Sequence, residues 1–125
     1  MHVMTEPVAI AETERLIASD KVEGTRVYNR AGERLGSIRN FMVDKRSGRV
    51  EYAVMEFGGI LGIGNEYYPL PWDLLTYDEQ QGGYAVDLDK DKIEGAPRYR
   101  DRDPAWDELY AQQVYGYYGV TYPMF

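Results

Sequence analysis

Arg34-Leu35-Gly36-Ser37-Ile38-Arg39-Asn40-Phe41-Met42-Val43-Asp44-Lys45-Arg46-Ser47-Gly48-Arg49-Val50-Glu51-Tyr52-Ala53-Val54-Met55-Glu56-Phe57 is the stretch that decides the fold. Its second half, 49–57, alternates as a strand does. Val50, Tyr52 and Val54 face one way and Ala53, Met55 and Phe57 the other. Apolar residues on both faces predict a strand covered on both sides. Its first half, 34–44, is a longer strand whose alternation slips, because Leu35, Ile38 and Phe41 come three apart. Gly36 within the slip predicts a bulge or a sharp bend. The residues 45–48 form a turn.

Working outward, 26–29 is a short strand and 30–33 a turn around Gly32. Before it, Ser19-Asp20-Lys21-Val22-Glu23-Gly24 predicts one helical turn with Ser19 as its N-cap and Gly24 at its left-handed end. The segment 1–18 reads as a loosely held arm, with Leu16 and Ile17 docking on the domain. After the hairpin comes a glycine-rich loop, Gly58-Gly59-Ile60-Leu61-Gly62-Ile63-Gly64-Asn65, then a strand at 66–70 in which Pro69 argues for an edge or a bent position. Pro71 opens a helical turn at 71–75, with Trp72 expected to be largely buried. A polar turn at 78–83 leads to a strand at 84–88. Asp89 is expected to cap a turn at 90–94. A charged linker, 98–103, leads to a helix at 104–115 with Asp103 as N-cap, Pro104 in its first turn and Gly116 as its stop. The end, 117–125, is aromatic and irregular. Five to six short strands with no long helix between them predict an all-β fold, a small, mainly antiparallel barrel with short helical turns and a C-terminal helix. Residues 19–97 form the barrel domain.

This order of motifs resembles the PRC-barrel family. The resemblance is carried by Gly24-Thr25-Arg26-Val27-Tyr28-Asn29, by Gly32-Glu33-Arg34-Leu35-Gly36-Ser37-Ile38, by Val43-Asp44-Lys45-Arg46-Ser47-Gly48-Arg49-Val50, by Phe57-Gly58-Gly59-Ile60-Leu61-Gly62-Ile63-Gly64, and by Pro69-Leu70-Pro71-Trp72. The family includes the cytoplasmic barrel of the photosynthetic reaction-centre H subunit and the C-terminal domain of a ribosome-maturation factor. The resemblance implies a PRC-type barrel. A fold alone confers no function.

The chain has 125 residues, no cysteine and one histidine, His2. Those counts exclude disulfides, thiol nucleophiles and cysteine-based zinc sites, and no catalytic metal or organic cofactor is expected. The net charge is −7, which argues against DNA binding and against an anionic membrane surface. No stretch is long and apolar enough for a transmembrane segment, and 1–11 lacks a secretory pattern, so the expected compartment is the cytoplasm. Charge is uneven. Arg26, Arg30, Arg34, Arg39, Lys45, Arg46 and Arg49 face only Glu33 and Asp44 within 26–49, a local +5. Such a hairpin either contacts RNA phosphate or an acidic protein, or is an edge kept from aggregating by its charge.

Motifs with chemistry are few. The loop 58–64 lacks the Gly-Lys-Ser/Thr of a phosphate loop and opens a strand rather than a helix. Asp87, Asp89, Asp91 and Glu94 resemble the start of a calcium loop, but Lys92 and Arg98 stand where it needs glycine and glutamate. Glu51, Glu56, Glu66 and Asp73 show no spacing that singles out a general acid/base pair. The features left are apolar. Ile60, Leu61 and Ile63 lie at a loop tip, where they either fold back onto the barrel or meet a partner, and the partner is the expectation carried forward. Trp106, Leu109, Tyr110, Val114 and Tyr117 recur at helical spacing, and this stripe packs either on its own barrel or on a neighbour's. The expected function is a non-enzymatic protein-binding or adaptor module that forms a homodimer and binds a protein partner the sequence does not name. The alternative is an RNA- or ribosome-associated processing factor.

Overall fold

The structure is a computed structural model and describes residues 15–57 and 66–122. A 3-10 turn, Ser19–Lys21, precedes six strands: β1 Arg26–Tyr28, β2 Arg34–Val43, β3 Val50–Phe57, β4 Glu66–Pro71, β5 Thr76–Asp78 and β6 Gly83–Ala85. A second 3-10 turn, Trp72–Leu74, joins β4 to β5. Two helices follow, α1 Lys90–Glu94 and α2 Glu108–Tyr118. The strands form one sheet in the order β4-β3-β2-β1-β6-β5. Four of its pairings are antiparallel, and only β1 with β6 is parallel. The fold expected from the sequence is met, as a six-strand sheet whose end strands β4 and β5 are not joined to each other.

The slipping alternation of β2 has a physical cause in its register. Val27 lies opposite Gly36 and Tyr28 opposite Arg34, so Leu35 is an extra residue against β1. Ile38 lies opposite Met55 and Asn40 opposite Val54, so Arg39 is an extra residue against β3. Each bulge shifts the phase by one and bends the strand. Leu35 and Ile38 are buried as a result, and Phe41 packs on the same core. Gly36 allows the close approach, since a Cβ there would collide with the carbonyl oxygen of Glu56. On β4, Pro69 is on an edge strand, one of the two placements expected for it. Tyr67 exchanges two backbone hydrogen bonds with Tyr99 on the outer side, at 2.9 and 3.0 Å. Pro69 and Pro71 share that outward parity, so the N–H groups they lack would have faced away from the sheet.

The two-sided burial of β3 is also met. On one side Ala53 and Met55 join Val27, Leu35, Ile38, Leu70, Val86 and Ile93 in the main core. On the other, Tyr52 packs with Ala111, Val114 and Tyr115 of α2 in a second core.

Several local expectations are corrected. The helix runs 108–118, not 104–115. Its N-cap is Asp107, whose Oδ1 accepts from the Tyr110 N–H at 2.9 Å, rather than Asp103. Gly116 lies inside the helix, and the left-handed C-cap is Gly119 at φ 70. Ala18, not Ser19, precedes the first turn, and neither it nor Asp89 makes a side-chain cap bond. Trp72 packs against the main core without being fully enclosed. It lies at the end of the sheet, edge-on to Phe41 at 5.0 Å and Tyr84 at 5.7 Å between ring centroids. Ile17 docks on the core whereas Leu16 is exposed. β6 is shorter than expected, and β5 had no sequence signal because only three residues separate the 3-10 turn from the polar turn.

Candidate interaction surface

The C-terminal segment turns back over the outer face of β3 and β4. The Tyr67–Tyr99 bridge fixes its start to the β4 edge. There the Arg98 guanidinium donates to Glu66 Oε2 at 2.6 Å, and Arg100 lies 3.6 Å from Glu66 Oε1. The hydrogen bond to Glu66 holds Arg98 more firmly protonated than usual. Arg39, aimed outward by its bulge, stacks its guanidinium 4.1 Å over the Tyr67 ring.

Trp106 precedes the helix at φ 55, a left-handed conformation rare for a bulky side chain. Its ring contacts Tyr52, Tyr99 and Tyr110 at centroid distances of 5.3, 5.8 and 5.6 Å. Tyr110 is half-buried beside it. Val114 is fully buried against the sheet. Tyr117, near the far end of the helix, donates its hydroxyl to the Lys92 carbonyl at 2.7 Å and carries the Lys92 ammonium over its ring. The apolar stripe therefore packs on its own sheet. Leu109 is the exception: it points away from the sheet and is 74% exposed. Ile60, Leu61 and Ile63 lie outside the described residues.

The structure adds residues that the sequence reading did not single out. Tyr115 donates to the Glu51 carbonyl at 2.6 Å and Tyr122 to Glu51 Oε1 at 2.6 Å, tying the last turns of α2 and the residues after it to β3. Ala111, Val114, Tyr115 and Tyr118 continue the helical period past Gly116, and that period was the available signal. The hydroxyls of Tyr52, Tyr110 and Tyr118 are buried without a partner among the described residues. Burial pushes Tyr110 up to about 12 and Tyr52, Tyr115 and Tyr118 further above the usual phenol range. The bond to Glu51, then burial, pushes Tyr122 up to about 12.

A second feature is an open cleft of about 460 Å³ between the β1–β2 turn and the start of α1. The Arg30 guanidinium meets Asp87 at 3.1 Å across it, with both side chains exposed. Asn29 closes its base, donating to Glu33 Oε1 at 2.7 Å and accepting from the Glu33 N–H at 2.9 Å. Asp89 and Asp91 line it too, but among the described residues no set of three acidic or histidine side chains is grouped to hold a metal ion.

A family model described as PRC-barrel domain matches residues 14–93, more than half of the chain. No curated protein matches the sequence. A solved structure of a protein titled as 16S ribosomal RNA processing protein RimM, from Pseudomonas aeruginosa, is similar at 22% identity and a TM-score of 0.38. The similarity covers 58% of this chain and 44% of that one.

Proposed function

The chain belongs to the PRC-barrel domain family, and from that premise we propose that it is a non-enzymatic binding or adaptor module of the cytoplasm that self-associates and presents itself to a protein partner. The observation that carries this reading is Leu109. Of the stripe on the C-terminal segment, Trp106, Tyr110 and Val114 are used on the chain's own sheet, while Leu109 stands 74% exposed on the outer face of α2. A large aliphatic side chain held there by a helix that is itself locked to the sheet suits a two-fold contact, the commonest closed assembly. The glycine-rich loop with Ile60, Leu61 and Ile63 is assigned to the same role on its composition.

One observation favours the second reading, an RNA- or ribosome-associated factor. Arg26, Arg30, Arg34, Arg39, Lys45, Arg46 and Arg49 are all exposed. Contacts of that kind release counterions, so their binding falls steeply with salt. Retention on immobilised ribosomal RNA and sizing of the free protein, each at low and high salt, separate the two readings. A dimer insensitive to salt with no RNA retention supports the adaptor. Retention lost as salt rises, by a protein that stays monomeric, replaces it with the RNA reading.

A further inference from the structure

Six aromatic rings run as an unbroken chain through the layer between sheet and helix. The centroid distances are 5.3 Å from Tyr67 to Tyr99, 5.8 Å to Trp106, 5.3 Å to Tyr52, 5.6 Å to Tyr115 and 5.1 Å to Tyr122. Rings this close let an electron step from one to the next without leaving the protein. The two ends differ electrostatically. The Arg39 guanidinium, 4.1 Å over Tyr67, opposes removal of an electron there. Tyr122 at the other end donates its proton to the Glu51 carboxylate at 2.6 Å.

Proton acceptors are distributed just as unevenly. A phenol that loses an electron becomes strongly acidic and is trapped as a neutral radical only if a base takes its proton. The Tyr52 hydroxyl is buried with no acceptor among the described residues. The Tyr115 hydroxyl reaches only the backbone carbonyl of Glu51, a far weaker base than a carboxylate. Of these six rings Tyr122 is the one bonded to a carboxylate, with its proton in place to be transferred.

We propose that this chain is a one-electron relay that draws oxidising equivalents away from the Arg39 edge and stores them on Tyr122. A one-electron oxidant, of the class of the carbonate radical or an oxidised metal complex, removes an electron from the half-buried indole of Trp106. An electron then passes from Tyr122 through Tyr115 and Tyr52 to refill it. In the same event the Tyr122 proton crosses to Glu51 Oε1. The oxidant is reduced by one electron, Trp106 is restored, and the products are a neutral Tyr122 phenoxyl and a protonated Glu51.

Flash oxidation of the full-length chain by a photogenerated ruthenium(III) trisbipyridine complex, read by transient absorption and electron paramagnetic resonance, tests this. The wild type should give a long-lived tyrosyl signal. Tyr122→Phe should lose it and leave a short-lived tryptophan radical. Trp106→Phe should slow its appearance, and Glu51→Gln, which keeps the backbone carbonyl for Tyr115, should lower its yield at neutral pH. Melting curves confirm that each variant is folded, and if Tyr122→Phe is not, Glu51→Gln decides alone. A tyrosyl yield and lifetime unchanged in folded Tyr122→Phe, or unchanged in Glu51→Gln, overturns the relay.

Discussion

Replacing Tyr52 by Phe should stabilise the protein, while the same change at Tyr115, one ring away, should destabilise it. Both side chains are buried, 5.6 Å apart between centroids, in the layer between β3 and α2. The substitution keeps each ring and removes one oxygen. At Tyr52 that oxygen has no hydrogen-bond partner among the described residues, so the folded state bears its desolvation cost, on the order of 1–3 kcal/mol. Phe removes that cost but leaves a small gap, and the net gain should be ~1 kcal/mol. At Tyr115 the oxygen donates to the Glu51 carbonyl at 2.6 Å, and losing a bond of this kind should cost ~1 kcal/mol. The two variants should therefore differ by ~2 kcal/mol with opposite signs. Urea unfolding is the assay, with the slope unchanged and the midpoint moving up for Tyr52→Phe and down for Tyr115→Phe. A loss of 1 kcal/mol or more in Tyr52→Phe would refute the reasoning, because it would mean that the hydroxyl is satisfied.

Alkali should unfold the protein cooperatively from about pH 10. The folded-state pKa of Tyr110 and of Tyr122 is raised from 10.0 to about 12. Between those values the unfolded chain releases protons that the folded chain keeps, so stability is intact below pH 10 and falls as pH rises towards 12. The part of the phenolate absorbance that disappears in Tyr110→Phe and Tyr122→Phe should then rise in step with the loss of circular dichroism, and that part appearing while the protein is still folded would contradict the assignment. Gly36→Ala should cost ~1–3 kcal/mol or more, because its Cβ meets the backbone oxygen of Glu56 and the two most extensively paired strands must part. A melting temperature equal to that of the wild type would show that the strands are not so close.

How much of this was legible in the sequence depended on whether the signal was local. The strand 50–57, buried on both faces, could be read because its side chains alternate with apolar residues on both sides. The slip of β2 was visible as a spacing of three around Gly36, although the second bulge, at Arg39, has no glycine to mark it. Pro69 left an edge or a bend open, and the register decides for the edge, with Pro71 at the same outward parity. Helix α2 was placed by its stripe but shifted by four residues at its start, because Asp103-Pro104 offers the same local chemistry as the true cap, Asp107. Trp106 counted as a helical position by spacing alone, whereas its ring packs from a left-handed residue before the helix. The partners of Glu51 lie 64 and 71 residues away along the chain, and no local pattern pairs a carboxylate with phenols at that separation. The direction of Leu109 was likewise hidden, because its neighbours at helical spacing are apolar and only docking on the sheet decides which side is left outside.

Sedimentation equilibrium of the full-length chain beside Leu109→Glu tests the self-association reading most directly. The side chain is 74% exposed and makes no part of either core, so the variant should fold and melt like the wild type. The wild type should sediment at twice the chain's mass and Leu109→Glu at the monomer mass. A wild type that stays monomeric at all concentrations, or a dimer that Leu109→Glu leaves intact, would contradict that reading.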